Sequence, residues 1–180
     1  MAKEQKHIIG MCGYALSGKD TAALNLIELG FKRFAFADAL KRDIKVMVDY
    51  ACTASGIPKP DLDNPGEKSR VRNLYVAHGA YMRSLCPDIW VNRLITEIGD
   101  YPGNVVITDV RYANEVAAIE ARGGVVVRIM RGNFPANPEE SKSFEQIETK
   151  YPGMIIMPNY GTIEQLDVRM KTLAQWIVQV

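Results

Sequence analysis

The sequence predicts a three-layer α/β fold, a parallel sheet flanked by helices, and three observations carry that prediction. Short apolar runs alternate along the chain with segments of helical period. The helical segments end at glycines, Gly30 after the first and Gly123-Gly124 after a later one, as helix C-termini do. The chain has 180 residues, 47% apolar and 24% charged, which describes one soluble globular domain and excludes collagen-like, disordered and disulfide-stapled classes. A chain of this length buries roughly 70% of the surface its unfolded form exposes, so a sizeable core is available.

Taken in order, residues 7–11 read as the first strand and residues 13–18 as a glycine-bounded turn. Residues 19–29 read as a helix and residues 31–36 as a second strand. A helix follows over 39–54, with Leu40, Ile44, Met47 and Ala51 on one face. Residues 55–69, with three prolines and two glycines, read as a loop. Helical material resumes at Val71, breaks near Pro87 and continues over 88–98. Residues 105–109 form a buried strand, 112–122 a helix and 125–130 another strand. The polar, acidic stretch 132–153 reads as a mobile lid excursion, and 154–157 as a last short strand. Thr162 and Gln165 make a capping box for a final helix with an apolar stripe of Ile163, Leu166, Met170, Leu173, Ile177 and Val180. The whole reads as one domain over 1–180, with an insertion at about 38–100 and the lid at about 132–153.

Twenty-two Lys and Arg against twenty-one Asp and Glu leave a formal charge of +1, too balanced for a protein that grips a nucleic-acid polymer through a broad basic field. Any anion must instead be held by locally clustered cations. Three widely spaced cysteines, Cys12, Cys52 and Cys86, form no CxxC pair and no zinc-type cluster, and they read as reduced thiols in the core. No apolar run reaches membrane-spanning length, and the apolar stretch near the start is broken by Gly10 and Gly13. A cytoplasmic location with no membrane partner is the expectation.

Residues 13–21, Gly-Tyr-Ala-Leu-Ser-Gly-Lys-Asp-Thr, fit the GxxxxGK phosphate-loop pattern and lie between a strand and a helix, where its mechanism requires them. Gly13, Ser17 and Gly18 let backbone N–H groups curl around one anion, the helix N-terminus adds partial positive charge, and Lys19 reaches the phosphates. The fold is therefore expected to be that of the P-loop NTPases, with ATP as ligand. Where the usual pattern has Ser or Thr after the lysine, this chain has Asp20, followed by Thr21. Asp20 either holds Mg²⁺ as an oxygen ligand or caps the helix. Asp109 closes a buried strand, where open α/β sheets bind ligands, and either belongs to the magnesium shell or caps the next helix. Arg111, two residues on, is placed to face the same crevice.

The chain carries no NKxD guanine signature, and its one DxxG match, residues 100–103, precedes a strand instead of following one. A second phosphorylated substrate is suggested by Lys68, Arg70, Arg72 and Arg83, four cations against Glu67 in residues 67–87. A solvated helix face is the alternative for that cluster. Trp90 and Tyr81 could each stack on a base or pack in the core.

On these residues the chain resembles the bacteriophage-type deoxynucleoside monophosphate kinases, which are related to phosphomevalonate kinase and more distantly to adenylate kinase. The resemblance rests on the Ser17-to-Thr21 segment, on residues 34–41, on 72–91, on residues 107–131 with their strand-Asp-x-Arg-helix-Gly-strand-Arg order, and on residues 157–166. It departs at Lys142-Ser143-Phe144-Glu145, where family members often carry a histidine-bearing element, and in having no arginine over 132–150. It implies transfer of the γ-phosphoryl of MgATP to a deoxynucleoside 5′-monophosphate, in the host cytoplasm if the chain is phage-encoded. The implied roles are Lys19, Arg111 and Arg131 at the transferred group, Arg128 at the ATP phosphates, Asp20 and Asp109 at the metal, and Asp38, Lys41, Arg70, Arg72, Arg83, Trp90, Asp109 and Arg111 at the acceptor. A homodimer is compatible with this reading. Its rivals are another small-molecule kinase of the fold, acting on a phosphorylated isoprenoid precursor or dephospho-coenzyme A, and a non-catalytic nucleotide-binding module.

Overall fold

The computed structural model describes residues 6–62, 64–132 and 138–179. Five strands, β1 (Ile8–Cys12), β2 (Lys32–Phe34), β3 (Val105–Val110), β4 (Val125–Met130) and β5 (Ile155–Pro158), form one parallel sheet in the order β2-β3-β1-β4-β5. Eight helices accompany them among the described residues: α1 (Lys19–Glu28), α2 (Phe36–Ser55), α3 (Pro65–Arg70), α4 (Arg72–Leu85), α5 (Ile89–Gly99), α6 (Ala113–Glu120), α7 (Pro138–Lys150) and α8 (Ile163–Gln179). The described residues divide into two compact units, one running to Ala35 and again from Ile95, the other Phe36–Leu94. The sheet lies wholly within the first.

Alternate residues of the central strands point to opposite faces, and each face is covered. Ile9 and Met11 of β1, Val106 of β3 and Val127 and Ile129 of β4 join Ala22 and Leu26 of α1 and Leu166, Met170 and Ile177 of α8 in one buried cluster. On the other face, Gly10 lies so close to α6 that a Cβ there would sit 2.6 Å from Ile119 Cδ1. Helix, sheet and helix are thus the three layers expected from the alternation of the sequence. At about 1.5–3 kcal/mol for each fully buried aliphatic side chain, this core is what holds the strand ends in place.

The register carries the functional consequence. Cys12, the last residue of β1, stands beside Val110 of β3 and Arg128 of β4. Asp109 and Arg111 therefore reach the same end of the sheet as the residue that opens the glycine loop.

The structure departs from expectation at four places. The expected loop 55–69 contains α3, because Asn64 caps it through Oδ1, which accepts the Gly66 N–H at 2.9 Å, and Pro65 takes the first helical position, where its missing N–H costs nothing. Helix α2 begins at Phe36, three residues earlier than expected, and shortens β2 to Lys32–Phe34. The stretch read as a mobile excursion includes helix α7, held down by Phe144 and Ile147, which are both fully buried at i, i+3 spacing. Residues 133–137 of that stretch lie outside the described residues, as does Val180 of the final stripe. Ile163, also assigned to that stripe, is exposed. The capping box of α8 forms as expected, with Thr162 Oγ1 accepting the Gln165 N–H at 3.3 Å and Gln165 Oε1 accepting the Thr162 N–H at 3.2 Å.

Candidate active site

The loop after β1 is built on backbone that most residues avoid. Gly13 has φ +143°, and a Cβ there would lie 2.5 Å from the Ile129 carbonyl oxygen. The Ser17 N–H donates to the Tyr14 carbonyl at 3.2 Å, closing a turn. Leu16 at its tip is left-handed, at φ 64°, and 80% exposed. Gly18, the N-cap of α1, is left-handed at φ 93°. A non-glycine residue in the left-handed region is uncommon and marks backbone held by its surroundings.

The first bond of the α1 ladder runs from the Ala22 N–H to the Gly18 carbonyl at 2.9 Å. The N–H groups of Lys19, Asp20 and Thr21 precede it and open toward the loop, as at any helix start. Lys19 curls back so that Nζ donates to the Tyr14 carbonyl at 2.8 Å. Its pKa is lowered, first by burial and then by the like charge of Arg111, while the carboxylates of Asp20 and Glu140 pull the other way. Lys19, Arg111 and Asp20 therefore share one electrostatic neighbourhood. Ser17 is buried and its hydroxyl finds no partner among the described residues. Beneath the loop, burial pushes the Cys12 thiol up to about 12, so it packs as an apolar group.

These groups fit a polyphosphate: converging backbone donors, a partly desolvated ammonium and an unsatisfied buried hydroxyl. Magnesium fits the donor chemistry as well. Among the described residues no group of three or more His, Cys, Asp or Glu side chains gathers, so no cage of protein ligands exists there. Mg²⁺ needs none, since it is ordinarily held by one or two carboxylates together with phosphate oxygens and water. Asp20 is exposed at the second position of α1, with Thr21 next to it, and Asp109 is half-buried near the end of β3.

Other nominated residues of this unit are differently occupied. Arg128 was expected at the ATP phosphates, but its guanidinium is ion-paired with Glu148 of α7 and only 12% exposed. It lies 5.8 Å from the Tyr14 ring centre and 5.9 Å from that of Phe144, two rings that meet edge to face at 4.9 Å. Arg128 thus ties α7 to the loop, a commitment that a partner twenty residues away in sequence did not reveal. Arg131 is exposed just beyond β4. Arg111 is also exposed; its N–H donates to Glu115 Oε2 at 2.6 Å, and its carbonyl accepts from Ser143 Oγ at 2.6 Å. Glu115, buried at the start of α6, also accepts the Tyr112 N–H at 3.0 Å and so satisfies donors at that helix start. Tyr14, Phe144, Glu115 and Asn159 were not singled out in the sequence. The signals for Glu115 and Asn159 were a glutamate at the third helical position and a polar residue directly after an apolar strand.

The second unit, Phe36–Leu94, carries the remaining nominated residues. Asp38 and Lys41, one turn apart on α2, pair with each other at 3.3 Å. Arg70 and Arg72 are exposed, on α3 and at the start of α4. Arg83 is half-buried and folds back along α4, its guanidinium nitrogens 3.6 and 3.7 Å from where a Gly79 Cβ would stand. Trp90 is 4% exposed, with Nε1 donating to the Gly79 carbonyl at 3.4 Å and the Arg93 guanidinium 5.6 Å from its ring. It is a packing anchor here, not an open stacking surface; Tyr81 is 62% exposed. Arg93 forms a fork on Asp43 at 2.5 and 3.0 Å, and the His78 ring approaches the same carboxylate at 3.7 Å.

Sheet order, covered faces and a glycine loop running from the central strand into α1 together define the three-layer α/β fold of the P-loop NTPases. Solved structures share it. Dephospho-CoA kinase from Campylobacter jejuni superposes with a TM-score of 0.60 at 11% identity, covering 98% of this chain and 100% of its own. The TT1252 protein from Thermus thermophilus superposes with a TM-score of 0.52 at 14% identity, covering 96% of this chain and 98% of its own. No protein-family model matches the chain, and no curated protein matches it. No helix among the described residues is long and apolar enough to cross a membrane.

Proposed function

We propose that the protein is an ATP-dependent kinase of a small phosphorylated molecule, with a deoxynucleoside 5′-monophosphate as the acceptor. The observation that carries this reading is the loop 13–21, where left-handed Leu16 and Gly18, the open start of α1 and the partly buried Lys19 ammonium supply a polyphosphate site. The acceptor class is supported by the cationic side chains of the second unit, Lys41, Arg70, Arg72 and Arg83, and by the resemblance of residues 17–21 and 107–131 to the phage kinases.

In this reading an acceptor phosphate oxygen forms a bond to the γ-phosphorus as the bond to the β-γ bridging oxygen breaks, leaving ADP. Such transfers need little covalent chemistry from the protein, only alignment and charge stabilisation. Lys19 and the loop N–H groups bind the ATP phosphates, and Arg111 and Arg131 balance charge on the moving group. Asp109 and Asp20 would hold Mg²⁺, which when bound neutralises phosphate charge. Lys41, Arg70, Arg72 and Arg83 orient the acceptor phosphate, and Asp38 orients Lys41. Arg128 holds α7 in place. The acceptor phosphate oxygen is already anionic near neutral pH, so no general base is required.

A second reading keeps γ-phosphoryl transfer from ATP but changes the acceptor to dephospho-coenzyme A, whose hydroxyl loses its proton to solvent as the new P–O bond forms; the full-length superposition on the Campylobacter jejuni enzyme favours it. A panel of deoxynucleoside and nucleoside monophosphates with dephospho-coenzyme A, scored by ADP release, separates the two. ADP formation dependent on a deoxynucleoside monophosphate is the expected result, and turnover with dephospho-coenzyme A alone would replace the first reading by the second. In the first case Arg72→Ala or Arg83→Ala raises the KM for the acceptor far more than that for ATP; the reverse order would overturn the acceptor assignment.

A further inference from the structure

Asn159 lies directly after β5, 142 positions from the loop, and is only 5% exposed. Its own N–H donates to the Met130 carbonyl at 2.6 Å, which fixes its backbone to the neighbouring strand. Its side-chain Nδ2 donates to the Ser17 carbonyl at 2.9 Å. The same nitrogen would lie 2.4 Å from a Cβ on Gly18, so the amide fills the space a side chain would take.

The peptide unit from Ser17 to Gly18 is trans, as are all those described. In a trans peptide the carbonyl and the following N–H point in opposite directions. Pulling the Ser17 carbonyl toward Asn159 therefore turns the Gly18 N–H away from Asn159, toward the open side of the loop. No acceptor among the described residues takes that N–H. Gly18 is also the residue best able to let the unit turn over, since glycine accepts left- and right-handed backbone almost equally. A turned-over peptide would present a carbonyl oxygen where a phosphate should find a donor.

We infer that Asn159 is a positioning residue, a lock that holds the Ser17–Gly18 peptide with its N–H directed at the bound anion. The inference rests on the reading of residues 13–21 as a nucleotide phosphate site and adds to it the group that sets the polarity of one donor. Asn159 does not touch the phosphate. Its effect falls on ATP binding and on the environment of one amide, and it is carried by a donated hydrogen bond, not by bulk.

The test uses the full chain, ATP as the ligand and three forms: native, Asn159→Ala and Asn159→Asp. Calorimetry gives the affinity, and ¹H–¹⁵N spectra follow the Gly18 amide during the titration. Losing a buried hydrogen bond worth about 1–3 kcal/mol predicts ATP binding weaker by roughly 5- to 150-fold in Asn159→Ala, with the downfield shift of the Gly18 amide diminished. Asn159→Asp keeps the shape and guards against a variant that fails to fold. Its carboxyl can donate only when protonated. Its affinity, taken relative to the native protein at each pH, should recover as the pH is lowered, a response that loss of packing alone would not give.

Native-like affinity and an unaltered Gly18 shift in folded Asn159→Ala, or a pH-independent ratio for Asn159→Asp, would overturn the lock while leaving the loop assignment intact. Failure of the native protein to bind ATP would instead overturn the loop assignment, and the lock with it.

Discussion

Replacing Gly18 by alanine tests the loop architecture with a single methyl group. Two costs add. The backbone at φ 93° is left-handed, where an L-residue is disfavoured by about 1–2 kcal/mol. The new Cβ would stand 2.4 Å from Asn159 Nδ2, so the amide must move and its 2.9 Å bond to the Ser17 carbonyl is lost. With Asn159 buried, the unpaired amide costs about 1–3 kcal/mol more. The sum is about 2–5 kcal/mol, or roughly 4–20 °C in Tm for a chain of this size. Gly30 supplies the control: its φ is 90°, but nothing lies within 4 Å of its would-be Cβ. Gly30→Ala should therefore show the backbone cost alone, about 1–2 kcal/mol. Urea unfolding followed by circular dichroism measures both. Equal destabilisation by the two substitutions would refute the reasoning, because it would mean that Asn159 does not occupy the space beside Gly18.

Phe144→Ala removes the fully buried ring that seats α7, and a loss of about 3–5 kcal/mol is expected, with α7 amides exchanging before those of the sheet; protection of α7 unchanged in hydrogen exchange would contradict its docking through this residue. Glu148→Gln leaves the largely buried Arg128 without its charge partner and should destabilise by about 1–2 kcal/mol, discounted because Glu148 is 45% exposed; a double-mutant cycle with Arg128→Met that shows no coupling would contradict the pair. Asp43 titrates below the usual carboxylate range because Arg93 hydrogen-bonds it, with His78 adding less. A depressed carboxylate stabilises the fold above its unfolded value of about 3.9 and loses that contribution as pH falls through the folded value. The native protein should therefore lose more stability than Asp43→Asn on acidification below about pH 4, and parallel urea midpoints in the two proteins would count against the ion pair.

The most legible parts of the sequence were those in which a local rule acts alone. Gly13, Gly18 and Lys19 were readable because a phosphate loop needs glycine backbone and a lysine at fixed spacing between a strand and a helix. The α8 capping box was readable because Thr162 and Gln165 satisfy each other within three residues. The start of α3 was equally local, and the proline count of the segment outweighed the Asn64-Pro65 signal. What escaped was set by tertiary partners. Arg128 reads as a free cation at the end of a strand until Glu148 is brought against it. Trp90 offers the same letter whether it stacks on a ligand or covers the Gly79 carbonyl. Asn159 gains its role from a contact with Ser17 that no periodicity encodes. The acidic stretch 138–150 hid a packed helix because two buried residues, Phe144 and Ile147, decide its seating.

The central claim is that residues 13–21 hold the phosphates of ATP through Lys19 and the loop backbone. Titration of ATP with Mg²⁺ into the native protein and into Lys19→Ala, monitored by calorimetry with circular dichroism as a check of folding, addresses it most directly. Saturable binding by the native protein is expected, with a loss of at least about tenfold in affinity for Lys19→Ala, the equivalent of 1.4 kcal/mol, and the fold unchanged. Equal affinity in the two folded proteins, or no binding by the native one, would contradict it.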